Sequence, residues 1–348
     1  MASTLTDKPE QKAGFEELAI LSEARAGRPV FQCGDRIFTV GDVVAGAVAM
    51  GRLASFRTAW LSTHARVAQA EAAGCEVDPA AIEQSTDAFR YDRDLVSAEE
   101  CERWLAQLGL CFDDLVACST RRLLAASVED AAGAADAQTG ALDEGSKEAF
   151  EVDLLLNDDF AGWARALAER VAAAQANGTA WKAEDDLRAR WDEVESIHRE
   201  ICAGLTGAAE RERLLRQDWM ALTRLELEVV TFDNGAAARE AECCVRHDGG
   251  TLAEVAEQNG LCCETVSAFL ADLQPPWRSA LTVARAGDVA LLPSADTGFA
   301  VVRVLSRSEP SLESERVCRR LDARLRGRHF RALESRHIRW IVMLEPVA

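Results

Sequence analysis

LTRLELEVVTF (residues 222–232) and GDVALLPSADTGFAVVRVLSR (residues 287–307) bracket the stretch whose reading decides the fold. In the first, Leu225, Leu227, Val229 and, at the end of the series, Thr231 alternate with Arg224, Glu226 and Glu228, the two-residue period of a half-buried strand. The second is rich in β-branched valine and reads as strand too. Between them AAAREAECCVRHDGG (236–250) has helix-forming composition and ends on a glycine pair. TLAEVAEQNG (251–260) spaces Thr251 and Glu254 as a capping box, with Gly260 as a left-handed stop. Pro275 and Pro276 open a third helix, and Gly287 releases the chain into a strand. The expected order is strand, helix, helix, helix, strand, strand.

That order resembles the parvulin family of peptidyl-prolyl isomerases. Leu252, Val255 and Ala256 match its short "F..LA" helix, and Trp277, Ala280, Gly287 and Val289 its "F..A......G.V" segment. GFAVVRV, starting at Gly298, matches its closing "GYHIIKV" strand. The resemblance covers about a quarter of the chain and implies a prolyl-peptide site lined by two histidines, a Cys or Asp, and a hydroxyl residue. Here the last-strand histidine position holds Ala300, the first-strand position falls near Glu228, and LCCETVSAFLADL (261–273) replaces the family's glycine-rich "GGDLGW". The resemblance implies a kept scaffold and a depleted polar centre. An active isomerase would need a site rebuilt from Glu228, Cys262 or Cys263, and Ser267. Trp277, Phe299 and Phe269 are the candidate walls of a peptide groove, although aromatics at such positions more often serve the core.

Upstream, residues 1–14 are polar and expected to be disordered. A helix is expected over 15–26, followed by a hairpin turning at Gly34-Asp35, with Thr39 and Asp42 at capping spacing. Leu53, Phe56, Trp60 and Val67 recur at helical core spacing, as do Cys101, Trp104, Leu105 and Leu108 behind the Ser97–Glu100 capping box. The succession of GDRIFTVGDVV, AEAAGCEVDPAAIEQSTDAFR and DLVSAEECERWLAQLGLCFDDL resembles the N-terminal module of SurA-type chaperones, which holds unfolded peptide in a cleft. The small, acidic run 127–150 reads as a linker. Helices follow over 151–221, one around Trp163 and Leu167 and one around Leu187, Trp191 and Val194. The fold class is therefore α+β. A mostly helical SurA-like domain (15–126, completed by 151–221) precedes a small parvulin-like α/β domain (222–307), then a basic helix and closing strand (308–348).

The chain of 348 residues carries 39 Lys+Arg against 58 Asp+Glu, a net charge of −19 that disfavours nucleic acid as a partner. The basic exception is the last helix, where Arg319, Arg320 and Arg324 either bind an acidic peptide segment or form a solvated face. Eleven irregularly spaced cysteines argue for reduced thiols, and no stretch reads as a signal peptide or membrane span. The expectation is a cytoplasmic protein that does not act on a membrane. Cys243, Cys244 and His247 with Cys262 and Cys263 contain no C-x-x-C, so neither a metal nor a cofactor is expected.

Three functions remain at this point. The first is a chaperone-like protein binding a peptide or unfolded client with weak or no isomerase activity. Resemblance to cytosolic SurA-like proteins of peptide-maturation systems implies a precursor peptide as client and a peptide-modifying enzyme as a further partner. The second is an active isomerase with the rebuilt site, and the third is a structural adaptor for a partner enzyme.

Overall fold

The computed structural model describes residues 21–128, 144–294 and 298–344. The expected disordered N-terminus lies outside the described residues, as do most of the expected linker and all but the last part of the helix over 15–26. The chain is α+β and mostly helical. It divides into two compact units: the chain up to Ile201 together with the segment from His329 onward, and Cys202–Arg328.

The first unit begins with a helical turn, Glu23–Ala26, and a hairpin of β1 (Pro29–Cys33) and β2 (Arg36–Thr39), which reverses at Gly34 with φ +57°. Then come α1 (Val40–Ala49), α2 (Leu53–Ala72), α3 (Pro79–Asp92), α4 (Ala98–Leu108), α5 (Phe112–Ala126), α6 (Glu144–Leu155) and α7 (Asp158–Ala176). Thr39 with Asp42 and Ser97 with Glu100 form reciprocal caps, and Gly109 ends α4 in the left-handed conformation. The expected core positions Phe56, Trp60, Trp104, Trp163 and Leu167 are all buried. Phe56 meets Phe150 and Trp163 edge-on at 5.4 and 5.7 Å.

Two boundaries differ from the expectation. The second part of the run 127–150 is helix α6, whose Phe150 is fully buried, because apolar residues follow the acidic ones at helical spacing. The helix around Leu187 begins only at Trp191: α8 is Trp191–Leu205. Ahead of it Asp185 accepts from the amide of Lys182 and Asp186 from that of Arg188, local bonds that favour turns over helix.

The closing strand β7 (Ile338–Trp340) returns to this first unit. It pairs antiparallel with β1 (Phe31↔Trp340, Cys33↔Ile338), giving a sheet of order β2-β1-β7. Val342 and Leu344 continue into the same core. The basic helix before it, Glu315–His337, thus runs from one unit into the other.

The second unit holds α9 (Ala208–Gln217), β3 (Arg224–Phe232), α10 (Gly235–His247), α11 (Leu252–Gln258), β4 (Glu264–Phe269), α12 (Pro275–Leu281), β5 (Val289–Pro293), β6 (Phe299–Ser308) and the first part of α13 (Glu315–His337). A 3-10 turn over Leu270–Asp272 joins β4 to α12. The strands form an antiparallel sheet of order β4-β3-β6-β5. The expected succession is present with one addition, strand β4, in the stretch left without structure. The unit also extends beyond 222–307. Leu214, Leu215 and Leu222 pack with Val317, Leu321 and Leu325. Arg211 grips Asp322 in a two-pronged pair at 2.6 and 2.7 Å.

Candidate functional site

Strand alternation gives the sheet of the second unit two chemically different faces. Opposed residues of an antiparallel pair share a face, so Thr231↔Ala300, Val229↔Val302 and Leu227↔Val304 place these six together. Leu292 and Ala290 of β5 and Val266 and Ala268 of β4 complete this Ala300 face. Leu270, Leu273, Trp277, Leu281 and Ala284 pack over it into one apolar cluster, at whose margin Arg307, opposite Leu225, donates to the carbonyls of Leu281, Thr282 and Ala284. Coverage is incomplete. Thr231 and Glu264 are exposed, Val229 is half-buried, and Val266 retains 38% of its surface. These neighbours leave an open strip of mixed apolar and polar side chains at the β3–β4 side.

The Glu228 face carries Val230, Phe232, Val301, Val289 and Leu291 at one end, sealed by Ala238, Ala241 and Val245 of α10 and by Leu252, Val255 and Ala256 of α11. Its other end is polar. Arg224 Nε donates to Ser267 Oγ at 2.5 Å, and Ser306 Oγ donates to Glu226 Oε2 at 3.0 Å. Arg303 stands 3.8 Å from Glu228, whose Oε2 is buried without a hydrogen-bond donor among the described residues. Cys263 packs at the edge of the α10–α11 cluster. Burial, then the Glu228 charge, pushes its thiol pKa up. A protonated thiol is a poor nucleophile, so this group does not assemble an attacking centre.

The register moves the first-strand site position by one residue. Val229, not Glu228, lies on the face of Ala300, since neighbouring strand residues point oppositely. Glu228, Cys263 and Ser267 belong to one side of the sheet, while Cys262 is exposed on the loop before β4. Trp277 lies on the Ala300 side, half-buried, with Nε1 donating to the Pro293 carbonyl at 2.7 Å. Phe299 lies on the opposite side against Gly235, where a Cβ would sit 2.9 Å from its ring.

Phe269 packs beside the α9–α13 cluster with the Arg320 guanidinium 4.9 Å over its ring. Trp277, Phe299 and Phe269 therefore do not converge on one groove. Arg320 pairs with Asp272 through its two terminal guanidinium nitrogens, Arg324 with Asp218 at 2.5 Å, and exposed Arg319 lies 3.7 Å from Glu315. Arg320 and Arg324 hold α13 onto the second unit. Sequence reasoning missed Arg224, Arg303 and Ser306. The alternating Glu226 and Glu228 signalled a polar half-face, but their partners lie about 80 residues away in the chain.

In the first unit a cleft of about 450 Å³ is lined by Arg52, Ser55, Phe56, Asp158, Asp159 and Trp163, among others. Trp60 and Trp104 are core residues there, their indoles donating to Asp153 at 2.8 Å and to the Met343 carbonyl at 2.6 Å. Among the described residues no cluster of three or more His, Cys, Asp or Glu is placed to hold a metal ion. No described helix is long and apolar enough to cross a membrane.

No family model matches the chain, and no curated protein matches it. Among solved structures, the chain aligns with the Campylobacter jejuni SurA-like chaperones described as the virulence factor PEB4 and the periplasmic protein Cj1289. The alignment has 9% identity and covers 90% of this chain and 99% of that one, with a TM-score of 0.20. A superposition at that level carries no argument about function.

Proposed function

We propose that this chain is a chaperone-like peptide-binding protein with weak or no prolyl isomerase activity, acting on an unfolded or precursor peptide. The observation that carries this reading is the composition of the Ala300 face: Val229 and Val302 lie beside Thr231 and Ala300, while of its charged side chains Glu264 is exposed at the edge and Arg307 is engaged by the carbonyls of Leu281, Thr282 and Ala284. Such a surface supports burial of apolar client side chains, each contributing about 1.5–3 kcal/mol when fully covered. At its centre Val229, Val302 and Ala300 offer no polar assistance to rotation about an X-Pro bond, whose barrier is about 18–20 kcal/mol. The irregular spacing of the eleven cysteines supports a reducing and hence cytoplasmic setting. A precursor-peptide client and a modifying-enzyme partner rest on the sequence resemblance alone.

The test is a protease-coupled assay on an X-Pro tetrapeptide, run beside titration calorimetry with a reduced, unfolded protein. The expected result is measurable binding with isomerisation at least tens of times slower than by a competent parvulin, since polar assistance typically contributes a factor of about 10² or more. A rate within threefold of a competent parvulin, or no binding of any unfolded chain, rejects the reading.

A further inference from the structure

The two edges of the sheet β4-β3-β6-β5 are treated differently. The β5 edge is closed. Arg246 donates to the Val289 carbonyl and Trp277 to that of Pro293, while Pro293 itself has no amide hydrogen. By strand alternation the carbonyls of residues 289, 291 and 293 share that edge, so two of its three outward acceptors are capped, and α10 and α12 both pack against the strand. The β4 edge is open. Its first four residues are exposed, and among the described residues no side chain is hydrogen-bonded to the main chain of residues 264–268. It carries no proline or lysine, the usual guards of an exposed edge.

We propose that the outer edge of β4 seats an extended client segment as an added strand, paired backbone to backbone, with a lysine or arginine of the client facing Glu264. This rests on the peptide-binding reading above and names the place where the peptide lies. The six residues of β4 offer about 20 Å of ladder. Alternation sorts the client's side chains. Those on the side of Val266 meet the open strip with Val229, whereas those on the side of Thr265 and Ser267 meet polar neighbours.

Charge selects the client. Arg224, Arg303 and Arg320 each have an acidic partner, whereas Glu264 has no ion-pair partner among the described residues. A net charge of −19 on each chain opposes pairing of this edge with a second copy and favours a cationic segment.

The experiment uses the full chain and a capped seven-residue peptide alternating valine and threonine, with lysine at one end. Two N-methylated isomers, one blocked at even and one at odd positions, are titrated alongside it. In an added strand only alternate amides face the sheet, so one isomer binds about tenfold or more weaker while the other stays within about twofold. The parent peptide slows hydrogen exchange at residues 264–268. Glu264→Lys, an exposed substitution, weakens the lysine peptide by about threefold to tenfold and not its glutamate counterpart.

Binding with equal loss in both isomers, or without protection of residues 264–268, overturns the edge and leaves peptide binding standing. So does failure of these peptides when a reduced, unfolded protein still binds. Failure of every probe overturns both readings. A dimer in sedimentation with residues 264–268 already protected assigns the edge to a second copy and overturns the proposal.

Discussion

Ending the chain after His337 removes a small segment on which the first unit depends heavily. The lost residues include Val342 and Leu344, which are 0% and 8% exposed, and Ile338 and Trp340, which are partly buried against the same core. At about 1.5–3 kcal/mol for each fully buried side chain and roughly half that for the other two, the burial term is about 5–9 kcal/mol. Compactness of the unfolded chain lowers this to about 4–7 kcal/mol. The backbone pairing of β7 with β1, the bonds of the Ile341 and Val342 amides to the Val30 carbonyl, and the acceptor for Trp104 at Met343 go as well. The total is comparable with the 5–15 kcal/mol that holds a typical domain together.

The truncated chain should therefore lose the near-ultraviolet circular dichroism of its buried first-unit tryptophans, Trp60, Trp104, Trp163 and Trp181. Hydrogen exchange should accelerate across residues 29–128 and 144–201. The second unit, whose apolar clusters contain none of the deleted residues, should keep its exchange pattern. Val342→Ala is the graded control, expected to cost about 2 kcal/mol in urea unfolding. A truncated chain whose unfolding free energy falls within about 1 kcal/mol of the parent would refute the assignment of β7 to this unit's stability.

Three further outcomes follow from local geometry. Gly298→Ala should destabilise the second unit by about 1–3 kcal/mol in urea melts, because the added Cβ meets the Phe232 carbonyl oxygen at 2.8 Å and backbone must move. Hydrogen bonds from Arg320 hold the Asp272 carboxyl below the usual range, so their contribution is present above the unfolded pKa and disappears as pH falls through the folded one. With the two side chains 26% and 46% exposed, its size is at most about 1 kcal/mol; Asp272→Asn should lower stability at pH 7 and flatten the acid limb, while an unchanged limb contradicts the pairing. Burial pushes the thiols of Cys33 and Cys118 up to about 12. At pH 8 a maleimide should modify exposed Cys75, Cys111, Cys243 and Cys262 first and leave those two intact until unfolding, as read by peptide mass mapping.

Features that depend on near neighbours were legible in the sequence. The capping boxes at Thr39, Ser97 and Thr251 formed because hydroxyl and carboxylate lie three residues apart and meet as soon as the turn closes. Strand β3 was readable because its alternating leucines are buried under one cover. Strand β4 gave no such signal, since its first four residues are exposed and alternation carries no contrast where neither side is buried. Only the tertiary structure decided that Val229, and not Glu228, shares a face with Ala300. That depends on the register of β3 against a strand about 70 residues away, and a shift of one residue reverses every side chain. The ion pair of Arg320 with Asp272 and the return of Trp340 to Phe31 were hidden for the same reason. Local hydrogen bonds and hydrophobic period are written within a few residues, whereas pairing partners and the covering of faces are chosen among distant segments competing for the same core.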